Sequence, residues 1–385
     1  MPVAREPILI AGGGIGGLCA AIGLQAKGRQ VVVLERREEL REVGAGLTLF
    51  PNALAALDRL GVGAAVRALS VPVGDGGVRS PSGRWLLRQS ADRVTASLGE
   101  PVVCVHRAEL LSVLAKAADR SDVRLGAEVA AYRQDDRGVT VETSDGETLE
   151  GGALVGADGV HSVVARTMHP GMSSAYTGCT AWRAITDLPS SLASGHLGFE
   201  TWGVGGAFGI VPVGEQRVYW FATANRPEAE RAVGREYDEV LRRFGAWHEP
   251  IGAVLEATDP TGIIRQDMYD RAPLSSWTAG RVCVLGDAAH PMRPNLGQGA
   301  CQAIEDSVAL SDCVGTFDNV IDALRAYEQR RRRSANRVAA LSRSAGRVVQ
   351  LRRPLACHIR NTALRMIPSS LLISRIRSIA ASPEV

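Results

Sequence analysis

Lysine is almost missing from this chain. Lys27 and Lys116 are the only two, so arginine carries nearly all of the basic charge. The 44 basic residues barely exceed the 41 acidic ones, leaving a formal charge of +3 over 385 residues. A dedicated nucleic-acid binder would show a strong basic excess, so this balance argues against one. Closely spaced cysteines are missing too. The seven, at positions 19, 104, 179, 283, 301, 313 and 357, show neither paired nor metal-ligand spacing. Cys19 and Cys283 lie inside apolar runs, so small buried thiols in a reducing compartment are expected, and no metal. No apolar run reaches the roughly 18 residues that a membrane-spanning helix needs. The nearest, Ile8 to Ala26, is broken by regular glycines and lacks a cleavage-like site. The expectation is a soluble, cytoplasmic protein without stable membrane insertion. Nothing in the sequence reports an oligomeric state.

What is present suffices for a large core: 45% of the residues are apolar. Pro7 to Ala11, Val31 to Glu35, Ala153 to Ala157 and Arg281 to Leu285 are short continuous apolar runs, as expected of strands covered on both faces. Helices are expected over Leu18–Lys27, Asn52–Leu60, Arg107–Ala118, Glu228–Phe244 and Gly299–Val314, followed by an arginine-rich helical tail from Ala323. Hairpins are expected over Val73–Arg88 and over Val139–Leu149, the latter turning at Ser144-Asp145-Gly146. Phe208–Pro212 and Val218–Ala222 read as antiparallel strands. The fold expected is α/β: a Rossmann-like nucleotide domain at 1–72, 100–172 and 278–320, an inserted antiparallel-sheet substrate domain at 73–99 and 173–277, and C-terminal helices at 321–385.

Three motifs, each after an apolar run, point to one ligand. Gly12, Gly14 and Gly17 match G-x-G-x-x-G, giving a tight turn, close backbone approach to a pyrophosphate, and close helix–strand packing. The helix N-terminus behind them offers free N–H groups to the anion. Glu35, ending the next strand, is placed for adenosine ribose hydroxyls, and Arg36 for the adenine. Asp158, in Gly156-Ala157-Asp158-Gly159, is a usual turn residue that gains meaning from its company. Asp287, in Gly286-Asp287-Ala288-Ala289-His290-Pro291, is placed to hold a polyol hydroxyl, as the ribityl chain of FAD requires. Beyond it, Pro294, Gly297, Gly299 and Ala300 open a helix whose positive end suits the N1–C2=O edge of a reduced flavin. His290 is a general-base candidate by residue type, against the commoner reading of a histidine fixed by its neighbours.

With these motifs in this order the chain resembles the class A FAD-dependent aromatic hydroxylases, the para-hydroxybenzoate hydroxylase-like superfamily, and especially the branch with zeaxanthin epoxidase, salicylate hydroxylase and urate hydroxylase. The likeness extends to Gly44–Ala53, Val105–Leu110, Thr180–Arg183 and Gly297–Asp306. It implies FAD contacts at Gly46, Leu47, Arg107 and the backbone of Val129. It also implies NADPH or NADH as co-substrate, and oxygen transfer from a flavin C4a-hydroperoxide by hydroxylation or epoxidation. Two departures stand out. The family's arginine seven residues after the middle Asp is Ala165 here, with Arg166 one place later. Urate hydroxylases carry a basic residue ahead of the Gly-Ile-Val-Pro strand and an Asp after the third motif's proline. Gly205-Gly206-Ala207 and Asn295 stand there, which argues against a urate specialist.

The substrate is expected between sheet and flavin, against Leu47, Leu49, Phe208, Ile210, Tyr219, Phe221 and Pro294, with Trp202 and Arg183 as further candidates. Each of these also reads as ordinary core packing or, for Arg183, as an ion-pair partner. The low charge of this region favours an apolar, aromatic or polycyclic small molecule. A flavin oxidase or reductase without oxygen insertion is the alternative. A halogenase would need a lysine beside the flavin, and the substrate region has none.

Overall fold

A computed structural model of the chain describes residues 6–40, 45–188, 198–214, 216–231 and 235–380. The four apolar runs become neighbouring strands. Ile8–Ala11 lies at the centre, parallel to Val31–Glu35 on one side and Ala153–Gly156 on the other. Asp122–Leu125 extends one edge in parallel, and Val282–Val284 the other. Thr278–Ala279 closes the six-stranded sheet, antiparallel to its neighbour.

Small residues let helices press onto this sheet. Helix Ile15–Ala26 packs against helix Gly299–Thr316 through Gly16 and Gly23. A Cβ on Gly23 would come within 2.1 Å of the Ser311 Oγ. Ser307 on the partner helix donates its hydroxyl to the carbonyl of Gly16 at 2.9 Å. The meander Val129–Gln134, Val139–Thr143 and Thr148–Gly151 joins the same core through Val139, Val141 and Leu149. Its turn has Gly146 at φ +89°, and Asp145 accepts from the Thr143 hydroxyl.

The second sheet has seven strands in the order Ile264–Arg271, Ser174–Asp187, Arg217–Asn225, Gly206–Pro212, Phe199–Trp202, Gly76–Arg79, Trp85–Gln89. It is antiparallel except where Phe199–Trp202 runs parallel to Gly76–Arg79. Its outer face carries a core of its own. Trp182, Phe208, Ile210 and Trp220 pack there against helices Glu236–Phe244 and Ile251–Glu256. Phe208 stacks on Trp220 with centroids 5.3 Å apart and planes 16° apart. The buried Trp220 indole N–H is satisfied by the Thr258 hydroxyl at 2.9 Å.

Two expectations change. The helix expected over Glu228–Phe244 begins only at Glu236. Ala229 adopts a left-handed φ of +57°, fixed by its N–H donating to Asp267 Oδ2 at 3.0 Å, and this interrupts any helix there; residues 232–234 lie outside the described set. A helix at Ala91–Leu98 was not expected. Asp75 accepts from its first N–H at 2.9 Å, and Gly99 ends it at φ +92°. All seven cysteines are free and buried. Among the described residues no helix is long and apolar enough to cross a membrane.

Candidate functional site

A cleft of about 890 Å³ runs from the glycine loop to the inner face of the seven-stranded sheet. At the loop end it is built from backbone. Gly12 sits at φ +103°, and a Cβ there would be 2.4 Å from the carbonyl oxygen of Ala157. Gly17 does not line the cleft. A Cβ on it would lie 1.9 Å from the Gly12 carbonyl oxygen, so this glycine lets helix and turn touch. Nothing lies within 4 Å of a Cβ placed on Gly14, where helix Ile15–Ala26 begins and its first residues line the cleft. That is a cradle shaped for a diphosphate.

The acidic groups around the cradle have distinct partners. Glu35 accepts from the Gly13 N–H at 2.7 Å and the Arg37 N–H at 3.0 Å, which ties the loop to the strand end. Asp158 Oδ2 accepts from Val163 and Val164 N–H at 2.7 and 3.2 Å, starting helix Val163–Met168. Its Oδ1 is buried with no hydrogen-bond partner, and burial pushes the carboxyl up. Asp287 is exposed to the cleft. Arg271, which the sequence reading missed, is buried nearby. It donates to the Ala288 carbonyl at 2.7 Å and places positive charge close to Asp287 and Asp158. Arg166 lines the cleft where the one-residue shift puts it, while Ala165 points into the core.

Arg36, Gly46, Leu47, Arg107, Val129, Pro294, Gly297, Gly299 and Ala300 all line the same cleft. Gly44, from the quoted motif, lies outside the described residues. Gly297 at φ +63° turns the chain into the 18-residue helix Gly299–Thr316, whose N-terminus opens on the cleft. Gly46 lets its strand reach the second sheet, since a Cβ there would be 2.5 Å from that of Tyr219.

At the sheet end, side chains make the surface and strand parity decides which of them. Phe221 pairs with Gly209 and Arg183, and Gly209 pairs in turn with Glu200. One row across the inner face therefore reads Glu200, Gly209, Phe221, Arg183. Gly209 is needed because a Cβ would lie 2.2 Å from the Phe221 ring. Tyr219 is the next residue on this face, its ring centroid 5.9 Å from that of Phe221. Arg183 donates to Gln266 Oε1 at 3.0 Å, and its Nε is buried without a partner.

Five expected residues fall elsewhere. Phe208 pairs with Ala222 and Ile210 with Trp220, so both face the outer core and not the cleft. Leu49 is wholly buried in the first core. Trp202 turns its indole N–H to Glu200 Oε2 at 2.6 Å, and Arg360 sits 5.5 Å from its ring. His290 is buried off the cleft. Its Nε2 meets Asp306 Oδ2 at 2.5 Å and its ring lies 5.1 Å from that of Trp277. Asp306 also binds Arg331 Nε at 2.8 Å. Burial works to raise the Asp306 carboxyl, but His290 and Arg331 outweigh it and hold it at about 2. His290 thus belongs to a buried ionic knot that joins the third-motif loop to two helices.

Glu200 was also missed. It lines the cleft, and its hydrogen bond from Trp202 only partly offsets the burial that pushes the carboxyl up. The only signal in sequence was a charged residue inside the apolar run Phe199-Glu200-Thr201-Trp202.

This geometry fits a flavin dinucleotide, and comparison with known proteins decides the matter. Residues 5–342 match the FAD binding domain family. The chain belongs to that family. It is 38% identical over 370 residues to the aurachin C monooxygenase/isomerase of Stigmatella aurantiaca, covering 96% of each chain. It is 31% identical to the 2-heptyl-3-hydroxy-4(1H)-quinolone synthase of Pseudomonas aeruginosa strain UCBPP-PA14, covering 94% of each. The crystal structure of Klebsiella pneumoniae HpxO complexed with FAD and uric acid superposes with a TM-score of 0.90 at 26% identity, covering 99% of this chain and 98% of that one. The chain is an FAD-dependent monooxygenase that uses NAD(P)H and dioxygen.

Proposed function

We propose that the substrate is an uncharged, largely apolar bicyclic heteroaromatic compound, bound flat against Phe221 and Tyr219 with a polar ring edge at Glu200. The observation that carries this reading is the row Glu200, Gly209, Phe221, Arg183. Its two polar ends are three strand spacings apart, about 14 Å between backbones, with an aromatic floor between them. Burial favours the protonated form of the Glu200 carboxyl, and in that form it donates as well as accepts, which suits a ring carbonyl or ring nitrogen. The quinolone named for one relative and the uric acid bound to one neighbour are both bicyclic nitrogen heterocycles.

Bound FAD supplies the redox chemistry, accepting a hydride from NAD(P)H and activating dioxygen. In this reading the chain's residues position. Gly12 to Gly14 and the helix behind them hold the diphosphate, Asp287 the ribityl hydroxyls, and Glu35 and Val129 the adenosine end. The N-terminus of Gly299–Thr316 would face the flavin ring and favour negative charge there. Leu47, Tyr219, Phe221 and Pro294 keep water from the reacting face. Arg166 and Arg183 offer cationic contacts at the cleft for the nicotinamide dinucleotide and for a substrate's far edge.

The test is a substrate panel on the FAD-bound protein, read by perturbation of the flavin absorbance and by stimulated NAD(P)H oxidation. Alkyl-quinolones and neutral quinolines are expected to do both. A panel in which only small benzoates couple NAD(P)H oxidation to product overturns the substrate class.

A further inference from the structure

The exposed apolar surface of this protein is concentrated in one place. Leu355, Ile359, Met366, Ile367 and Leu371 are half of the exposed large hydrophobic residues among the described residues, and Leu355 and Met366 are 72% and 76% exposed. They sit on two C-terminal helices, Pro354–Met366 and Ser369–Ala380, and the loop between them. Leu355, Ile359, Thr362 and Met366 recur at helical spacing, so they form one stripe. The opposite face of that helix is its anchor. Cys357 and Arg360 are buried there, and Arg360 donates to the carbonyls of Val349 and Gly203 at 3.1 and 3.2 Å.

The charge of the same region has one sign. From Gln329 to Pro383 the chain has thirteen arginines and no aspartate or glutamate. Three of the earlier arginines are paired within the protein: Arg331 to Glu305 and Asp306, Arg332 to Glu328, Arg343 to Asp270. Arg347, Arg352, Arg353, Arg365, Arg375 and Arg377 are exposed and form no ion pair among the described residues. An apolar stripe flanked by unpaired arginines suits a surface that is both greasy and anionic. It does not suit a second copy of this chain, because two such faces would bring like charges together.

We propose that the two C-terminal helices dock this enzyme on anionic lipid bilayers, the apolar stripe entering the headgroup boundary and the arginines binding lipid phosphates. The segment leading into these helices reaches the rim of the cleft. The Leu351 carbonyl accepts from Gly205 N–H at 2.7 Å, and Val349, just ahead, lines the cleft itself. The bilayer would thus lie near the sheet end, where an apolar substrate dissolved in it has a short path to enter. The docking argument stands on the helices alone and does not depend on the substrate reading.

The experiment uses the full chain with FAD bound, sedimented with vesicles of phosphatidylcholine alone or mixed with phosphatidylglycerol, at low and physiological salt. Binding to the mixed vesicles only is expected, weakening as salt rises. The triple variant Arg365→Gln, Arg375→Gln, Arg377→Gln should lose roughly 100-fold in vesicle affinity, at about 1 kcal/mol per surface arginine. Leu355→Ser, Ile359→Ser, Met366→Ser should also lose binding. Both should keep wild-type flavin content and absorbance, which checks their folding. Three results overturn the proposal: no binding to mixed vesicles, equal binding to neutral ones, or a salt-insensitive dimer abolished by the serine variant. Retention on DNA that the serine variant leaves unchanged would reassign the surface to nucleic acid.

Discussion

The two ends of the cleft are built by opposite means. At the dinucleotide end the chemistry belongs to backbone: a glycine at φ +103°, a helix start with open space in front of it, and carboxylates that brace the loops. At the sheet end it belongs to side chains whose direction is set by strand pairing. Backbone sites tolerate almost no change at a few positions. Side-chain sites tolerate change in fold but not in selectivity, because the opposite face of the same strands carries the stability.

The largest effect separates the ends most sharply. Gly17→Val places atoms against the Gly12 carbonyl, where a Cβ alone would already be at 1.9 Å. FAD affinity should fall more than 100-fold, read as loss of the flavin absorbance after purification. Next comes the pair Phe208→Ala and Phe221→Ala, on adjacent strands and opposite faces. Truncating Phe208 should cost about 3–5 kcal/mol in stability by leaving a core cavity. Its effect on KM should be small. Phe221→Ala should raise KM for the substrate roughly tenfold with little loss of thermal stability, as expected for one aromatic contact. Equal behaviour of the two would break the assignment of faces.

The ionic knot at the third motif gives a pH signature. Asp306 is held at about 2, below its ordinary value near 3.8. Its contribution is therefore complete above the unfolded carboxyl range and lost as pH falls from about 4 through 2. Asp306→Asn should remove this acid-limb dependence in urea unfolding. It should also destabilise by about 1–3 kcal/mol, because buried Arg331 keeps Glu305 but loses its charge-assisted hydrogen bond to Asp306. His290→Asn should lower Tm yet keep coupled turnover, which a general base would not allow.

The smallest effect is the finest test of the sheet end. Glu200 has a raised pKa, so its neutral form persists above the usual carboxylate range. Binding of an uncharged substrate should weaken as pH rises through that pKa. Glu200→Gln should bind within about threefold of wild type and lose the pH dependence, whereas Glu200→Ala should lose roughly tenfold, one hydrogen bond's worth.

The sequence was readable where function lies in backbone. The spacing of Gly12, Gly14 and Gly17, and the placing of Asp158 and Asp287 after apolar strands, report local conformation directly. Register is different. Phe208-Gly209-Ile210 and Tyr219-Trp220-Phe221 both alternate, and nothing local says that Phe208 lies opposite Ala222 while Gly209 lies opposite Phe221. Phe208 and Ile210 on one strand face the outer core, while Tyr219 and Phe221 on the other face the cleft. His290 misled for a related reason, since Asp306 and Arg331, which bury it, lie 16 and 41 residues further along the chain. Glu200 could be noticed but not interpreted, because the upward push on its carboxyl comes from burial by the folded sheet.

Turnover in oxygen-18-labelled dioxygen tests the central claim most directly. One labelled oxygen atom should appear in the organic product for each NAD(P)H consumed. Unlabelled product, or label recovered only as hydrogen peroxide and water with every ring compound that perturbs the flavin, would contradict it.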